Sequence, residues 1–94
     1  METVTPLQKE KVCFVCGSTL VECHHVFHGS YRKNADKYGM MVWLCPAHHR
    51  GTEGVHGRDG HALDIQLKEY AQRYFETNLG TRDDFRELFG KSYL

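Results

Sequence analysis

The sequence predicts a small α+β fold in which a β-hairpin and a short helix are clamped by a structural metal and followed by two amphipathic helices. Three observations carry this expectation. Residues 19–27 and 40–45 are short stretches rich in β-branched and apolar side chains, each introduced by a turn former. Cys13-Phe-Val-Cys16 and Cys45-Pro-Ala-His48 supply two ligand pairs, each with a two-residue spacer that lets both side chains converge from one tight turn. From Leu63 onward apolar residues recur at helical spacing.

The elements follow in order within one domain spanning residues 1–94. Residues 1–11 are polar and read as a loose lead-in, residues 12–61 as the metal-clamped finger, and residues 62–94 as a helical tail packed on it. Gly17-Ser18 precedes the first strand and Gly39 the second. Between them residues 28–38, with Gly29, Ser30, Asn34 and Asp36 and little periodicity, read as a loop. Pro46 suits the first turn of a short helix through Ala47, His48, His49 and Arg50, which Gly51 and Gly54 interrupt. In the tail, Leu63, Leu67, Tyr70, Ala71, Tyr74 and Phe75 form an apolar stripe opposite Gln66, Lys68, Glu69, Gln72, Arg73 and Glu76, and Gly80 ends that helix. Thr81 followed by Asp84 is an N-terminal cap; Phe85, Leu88 and Phe89 then share a face before Gly90. A chain this short needs its tail aromatics as core.

Composition narrows the classes. The chain has 94 residues, 12 basic and 12 acidic side chains, four Cys and seven His. Domains of this size bury only roughly 60 to 70% of their unfolded surface, so a metal, disulfides or a partner commonly supplements the core. No apolar run approaches the roughly 18 residues of a membrane span, and the first residues lack the basic-then-apolar order of a signal peptide. No membrane association and a cytoplasmic location are therefore expected, where Cys stays a thiol and spaced Cys pairs serve as ligands more often than as bridges. Zero net charge argues against a strongly cationic coating protein, but residues 28–50 hold Arg32, Lys33, Lys37 and Arg50 against Asp36 alone.

Cys13, Cys16, Cys45 and His48 together make a Cys3His set, which zinc takes in tetrahedral structural sites. The 28 residues between the two pairs exceed the separation in most small fingers, and a hairpin would bring the ends together. A redox pair would need a strand running directly into a helix, and Gly17-Ser18-Thr19 offers none. Disulfides would suit a secreted chain. Cys23 lacks a partner in this scheme and reads as a small buried residue.

Every His lies between His24 and His61. Neighbours on a strand face opposite ways, so His24 and His25 take different jobs, whereas His48 and His49 are about 100° apart on a helix. His48 can then face the Cys cluster while His49 faces the hairpin. A second metal is expected at His24, His49 and one further ligand, with His25 beside it; neutral imidazole suits both ligation and proton abstraction.

These residues together, Cys13-x-x-Cys16, His24-His25-Val and Trp43-Leu-Cys45-x-x-His48-His49, resemble an HNH nuclease of the ββα-metal (His-Me finger) group, in its small phage or prophage form with a zinc knuckle. The specific motifs cover residues 13 to 56, and the tail is more loosely similar. The resemblance implies hydrolysis of a DNA phosphodiester by a phage-encoded or bacterial protein, with DNA and other phage proteins as partners. It implies that His25 is the general base, that His24 and His49 hold a catalytic divalent ion (Mg2+, Mn2+, Ni2+ or Zn2+), and that Zn2+ fills the knuckle. His56 is favoured as third ligand over His28 and His61. Arg32, Lys33, Lys37 and Arg50 are the expected phosphate contacts. Met40 stands where the family has its central Asn, with Asn34 as the candidate to replace it. The competing expectation is a non-catalytic zinc-binding module that recruits DNA or a protein.

Overall fold

The computed structural model describes residues 7–51, 54, 55, 57 and 60–94. Strand β1 (Glu22–His25) pairs antiparallel with β2 (Met41–Leu44), opposing Glu22 to Leu44, Cys23 to Trp43, His24 to Val42 and His25 to Met41. The alternation of side chains buries His24 and Val42 together, while Cys23 and His25 emerge on the other face. Cys23 is therefore exposed, not the buried residue expected of it, because its register places it opposite half-buried Trp43 on the open face.

The connection between the strands is not the loop expected over residues 28–38. A 3-10 turn (Gly29–Tyr31) runs into helix α1 (Arg32–Tyr38). Only Ala35 in this helix is fully buried, so two turns of mostly polar residues carry no apolar period to read. Its stop is legible in the backbone: Gly39 sits in the left-handed region at φ 70°, and the Met40 N–H donates to Ala35 O at 2.8 Å. Met40 then inserts into the core with no exposed surface.

Helix α2 (Pro46–Arg50) starts with proline in its first turn, where the missing N–H costs nothing. Beyond it the chain folds back, the Val55 N–H donating to His48 O at 3.0 Å. Helix α3 (His61–Asn78) and helix α4 (Arg82–Phe89) form the tail. The α4 cap is reciprocal: Asp84 N–H donates to Thr81 Oγ1 at 3.1 Å, and Thr81 N–H to Asp84 Oδ2 at 3.0 Å.

The tail packs on the finger through aromatic rings. Phe27, two residues beyond His25, lies 4.4 Å from Phe89 and 5.6 Å from Phe85 between ring centroids, and Phe75 of α3 meets Phe85 at 5.5 Å. Two tail positions differ from the expected stripe. Tyr70 is exposed and spans to the N-terminal segment, its hydroxyl donating to Leu7 O at 3.0 Å. Gln72, expected on the polar face, is fully buried. Its amide holds the chain terminus, Oε1 accepting from Tyr93 N–H at 2.7 Å and Nε2 donating to Ser92 Oγ at 3.0 Å, which satisfies the buried polar group.

Residues 7–11 are also better held than a loose lead-in. Leu7 belongs to the core, and the Gln8 side chain accepts from Trp43 N–H on β2 while donating to Val12 O. Residues 1–6 lie outside the described part. The fold is thus a small α+β arrangement of a two-stranded antiparallel hairpin and helices. Among the described residues, no helix is long and apolar enough to cross a membrane.

Candidate functional site

Two clusters of ligand-type side chains are drawn from the hairpin, the turns beside it and the short helix. The first contains Cys13, Cys16, Cys45 and His48, whose ligand atoms all lie within 4.8 Å of one another. The Cys13–Cys16 turn closes through Gly17 N–H to Cys13 O, and Phe14 N–H to Trp43 O ties it to β2. Cys45 follows β2 as the N-cap residue of α2, and α2 turns His48 back toward it, with Nδ1 3.2 Å from Cys45 Sγ and 3.7 Å from Cys13 Sγ. Cys16 and Cys45 sulfurs are 3.7 Å apart.

The two 3.7 Å separations are close to the edges of a metal tetrahedron, and the 3.2 Å one is somewhat shorter. With metal–sulfur bonds of about 2.3 Å and metal–nitrogen bonds of about 2.0–2.1 Å, tetrahedral edges are about 3.8 Å for sulfur to sulfur and about 3.6 Å for sulfur to nitrogen. All four cysteines are free thiols. Burial raises the Cys13 thiol, but the backbone N–H groups of Cys45, Cys16 and Val15 outweigh it and hold it at about 6. At Cys16 the Ser18 N–H pulls the thiol down, and the Cys13 and Cys45 sulfurs push it up further. Three sulfurs and an imidazole gathered this closely are a donor set that fits a structural metal such as zinc.

The second cluster lines a surface cavity of about 330 Å³ formed by Cys23, His24, His25, His28, Gly29, Arg32 and His49. His24 is buried at its floor. Its ring lies 5.3 Å from His49 and 5.5 Å from His28 between centroids, so it stands between an imidazole of α2 and one from the turn after β1. His49 Nδ1–H donates to Glu22 Oε1 at 2.8 Å, which leaves Nε2 as the acceptor nitrogen. A carboxylate behind an imidazole in this way is how proteins orient metal-binding histidines. The His49 hydrogen bond, with the Arg50 charge beside it, holds the Glu22 carboxyl below the usual carboxylate range.

On the opposite side of the strand, His25 Nε2–H donates to Asp36 Oδ1 at 2.6 Å. This fixes the imidazole and leaves Nδ1 as the proton acceptor of the neutral ring. Cys23 shares this face. Burial, with the Asp36 charge adding to it, pushes its thiol up, so it is a poor thiolate.

The structure therefore gathers His24, His25 and His49 at one cavity with Arg32 on its rim. Lys33 and Lys37 lie along exposed α1, Lys37 with its ammonium 5.5 Å from the Tyr38 ring centroid, and Arg50 is engaged with Glu22 at 2.7 Å. His61 is exposed at the start of α3. His56, favoured as third ligand, lies outside the described residues. Asn34, the expected substitute for an Asn at Met40, is engaged elsewhere: its side chain donates to Leu88 O at 2.8 Å and ties α1 to α4.

Three acidic residues were not singled out as site residues. Glu22 and Asp36 orient His49 and His25. Asp64, in the first turn of α3, joins His24 and His28 in a second group whose ligand atoms all lie within 4.8 Å of one another. Glu22 alternates with His24 along one strand and was open to reading, whereas Asp64 resembles any acid at a helix N-terminus. Compared with protein families, curated proteins and solved structures, the chain finds no match in any of them.

Proposed function

We propose that this chain is a metal-dependent endonuclease that hydrolyses DNA phosphodiester bonds, with β1, β2 and α2 acting as a ββα-metal finger whose knuckle holds Zn2+. The observation that carries the reading is the histidine cavity: His25, backed by Asp36 at 2.6 Å, stands one residue from buried His24, which has His49 beside it. Phosphodiester hydrolysis needs a poor nucleophile activated and negative charge neutralised at one place.

In this reading His25 Nδ1 accepts the proton of the attacking water. Asp36 keeps the imidazole in the required tautomer and stabilises the imidazolium that follows, as a carboxylate does behind a catalytic histidine elsewhere. His24 and His49 hold a divalent ion (Mg2+, Mn2+, Ni2+ or Zn2+), Glu22 orienting His49, with His56 as the third ligand that the sequence favours. When bound, the ion supplies charge for the phosphate oxygens and the leaving oxygen. Arg32 at the rim, with Lys33 and Lys37 on the adjoining helix, contacts the DNA backbone without reading its sequence.

The test is direct. Purified protein supplied with Mg2+, Mn2+ or Ni2+ should nick or cut plasmid DNA, and His25→Ala should lower the rate by about 10²- to 10⁴-fold while its melting temperature stays near that of the parent. A variant that cuts at the full rate sinks the mechanism.

A second reading, a non-catalytic zinc module that recruits DNA or a protein, is favoured by one observation. Met40 is buried where the resembled family keeps an Asn, and Asn34 is committed to Leu88. Metal counting separates the two readings, because the module needs only the knuckle ion and the nuclease needs a second, exchangeable one.

A further inference from the structure

Helix α3 begins against the finger because glycine backbones meet there. A Cβ built on Gly60 would fall 1.7 Å from Gly54 O, so only glycine permits this approach. Gly60 O accepts from Asp64 N–H at 3.0 Å, which fixes the first turn of the helix. The consequence is chemical as well as structural. A carboxylate from the C-terminal tail arrives beside two imidazoles of the finger, one buried (His24) and one exposed (His28).

We infer that the ion proposed at His24 is completed by His28 and by the carboxylate of Asp64, the tail residue taking the place of the His56 ligand that the sequence favours. This deepens the proposed function, on which its catalytic consequence rests, but the site itself stands on the arrangement of the three ligands. Two imidazoles and one carboxylate are a donor set for borderline divalent ions such as Zn2+, Fe2+ or Ni2+, rather than for Ca2+. Such a set leaves coordination positions open. It also leaves the site with net positive charge, since one carboxylate neutralises half of a divalent ion, and Arg32 on the same cavity adds to it. That combination suits an anionic oxygen ligand such as a phosphate ester.

Asp64 has a second partner that makes it a better ligand. Lys68 Nζ donates to Asp64 Oδ2 at 2.8 Å, and ligating carboxylates are commonly held in this way by an outer hydrogen bond. Ligand edges around an ion with bonds of about 2.0–2.2 Å are about 3.0–3.5 Å. The three groups, with ligand atoms all within 4.8 Å of one another, therefore lie close enough to share one ion.

The experiment titrates the zinc-loaded 94-residue chain with Co2+ as the probe, following visible absorption and heat. One further Co2+ per chain is expected, with ligand-field bands but no thiolate-to-cobalt charge-transfer band, because nitrogen and oxygen hold it. Loss of an outer-shell partner alone commonly weakens metal binding by about 10- to 100-fold, so Asp64→Asn and His28→Ala should each weaken Co2+ at least that much. Their melting temperatures without Co2+ should hardly move, since an ion pair one helical turn apart adds little. Unchanged Co2+ affinity in both variants overturns the assignment, as does failure to bind a second Co2+. A thiolate band on the second ion also overturns it, placing Cys23 in the site instead. Cleavage of plasmid DNA is scored separately. Asp64-dependent Co2+ binding without any DNA cutting removes the nuclease and leaves the metal site, whereas cutting with Asp64-independent Co2+ binding removes the metal site and leaves the nuclease.

Discussion

Removing the knuckle metal should unfold the chain, and Cys16→Ser shows why this can be measured cleanly. A protein of 94 residues has a total stability of roughly 5–14 kcal/mol, at about 0.05–0.15 kcal/mol per residue. Structural Zn2+ in finger peptides contributes about 10–16 kcal/mol near neutral pH, an amount of the same size or larger. Cys16 is exposed, so replacing its sulfur by oxygen removes little packing, and an ordinary surface change would cost within about 0.5 kcal/mol. Its sulfur nonetheless stands at a tetrahedral edge distance from Cys45, 3.7 Å away. The expected result is therefore several kcal/mol lost on Cys16→Ser, or on treatment of the parent with a strong chelator. Thermal melts by circular dichroism, Trp43 fluorescence and zinc content by atomic absorption would follow it together. A chelated protein that melts within a few degrees of the zinc-loaded one, or a Cys16→Ser variant that melts with its parent, refutes the knuckle.

Three further outcomes are expected. Phe89→Ala, at a position 1% exposed and 4.4 Å from the Phe27 ring, should cost about 3–5 kcal/mol in denaturant melts by separating the tail from the finger; a loss under about 1 kcal/mol would show that the tail does not depend on this contact. Asp84 is held below the usual carboxylate range by the Thr81 backbone N–H and then its hydroxyl, so its contribution is complete above the unfolded value of about 4 and lost as pH falls through the folded value. The stability gap between the parent and Asp84→Asn should accordingly close on acidification below about pH 4, and a gap that widened there would contradict the cap. If Arg32 contacts a phosphate, Arg32→Ala should weaken DNA binding uniformly across sequences and lower the salt slope by about 0.9, with an unchanged slope refuting the contact.

How much of this was legible in the sequence depended on whether a residue's job had a local signature. The α4 cap was readable because Thr81 and Asp84 need only each other. The Cys3His cluster was readable because two tight turns each carry a ligand pair, and their convergence needs only a hairpin. The strands appeared where expected, shorter at their ends, because Met41–Leu44 and Glu22–His25 are all that pair. Helix α1 was missed since its only fully buried residue is Ala35, and Gln72 was misplaced because its partners, Ser92 and Tyr93, come from 20 residues away. Asp64 was invisible for the same reason. Its relation to His24 and His28 is created by Gly60 meeting Gly54, a contact between backbones that leaves no pattern in side-chain type.

Adjacent histidines give the two clusters a mechanical link that neither has alone. His48 faces the knuckle and His49 the cavity, and both N–H groups donate to Cys45 O, at 3.0 and 2.9 Å. Helix α2 has only five residues, too short to be stable by propensity, so its orientation must come from what its side chains hold. A metal on His48 would fix the helix from one side, and Glu22 on His49 fixes it from the other. The same logic applies to β1, where His24 faces inward to the cavity floor and His25 outward to Asp36. A metal that holds Cys45 and His48 thus sets the position of His49 relative to His24 without touching either. A weakened knuckle, as in Cys16→Ser held below its melting temperature, is then expected to lower the affinity for Co2+ at the cavity, and an unchanged affinity would refute the link.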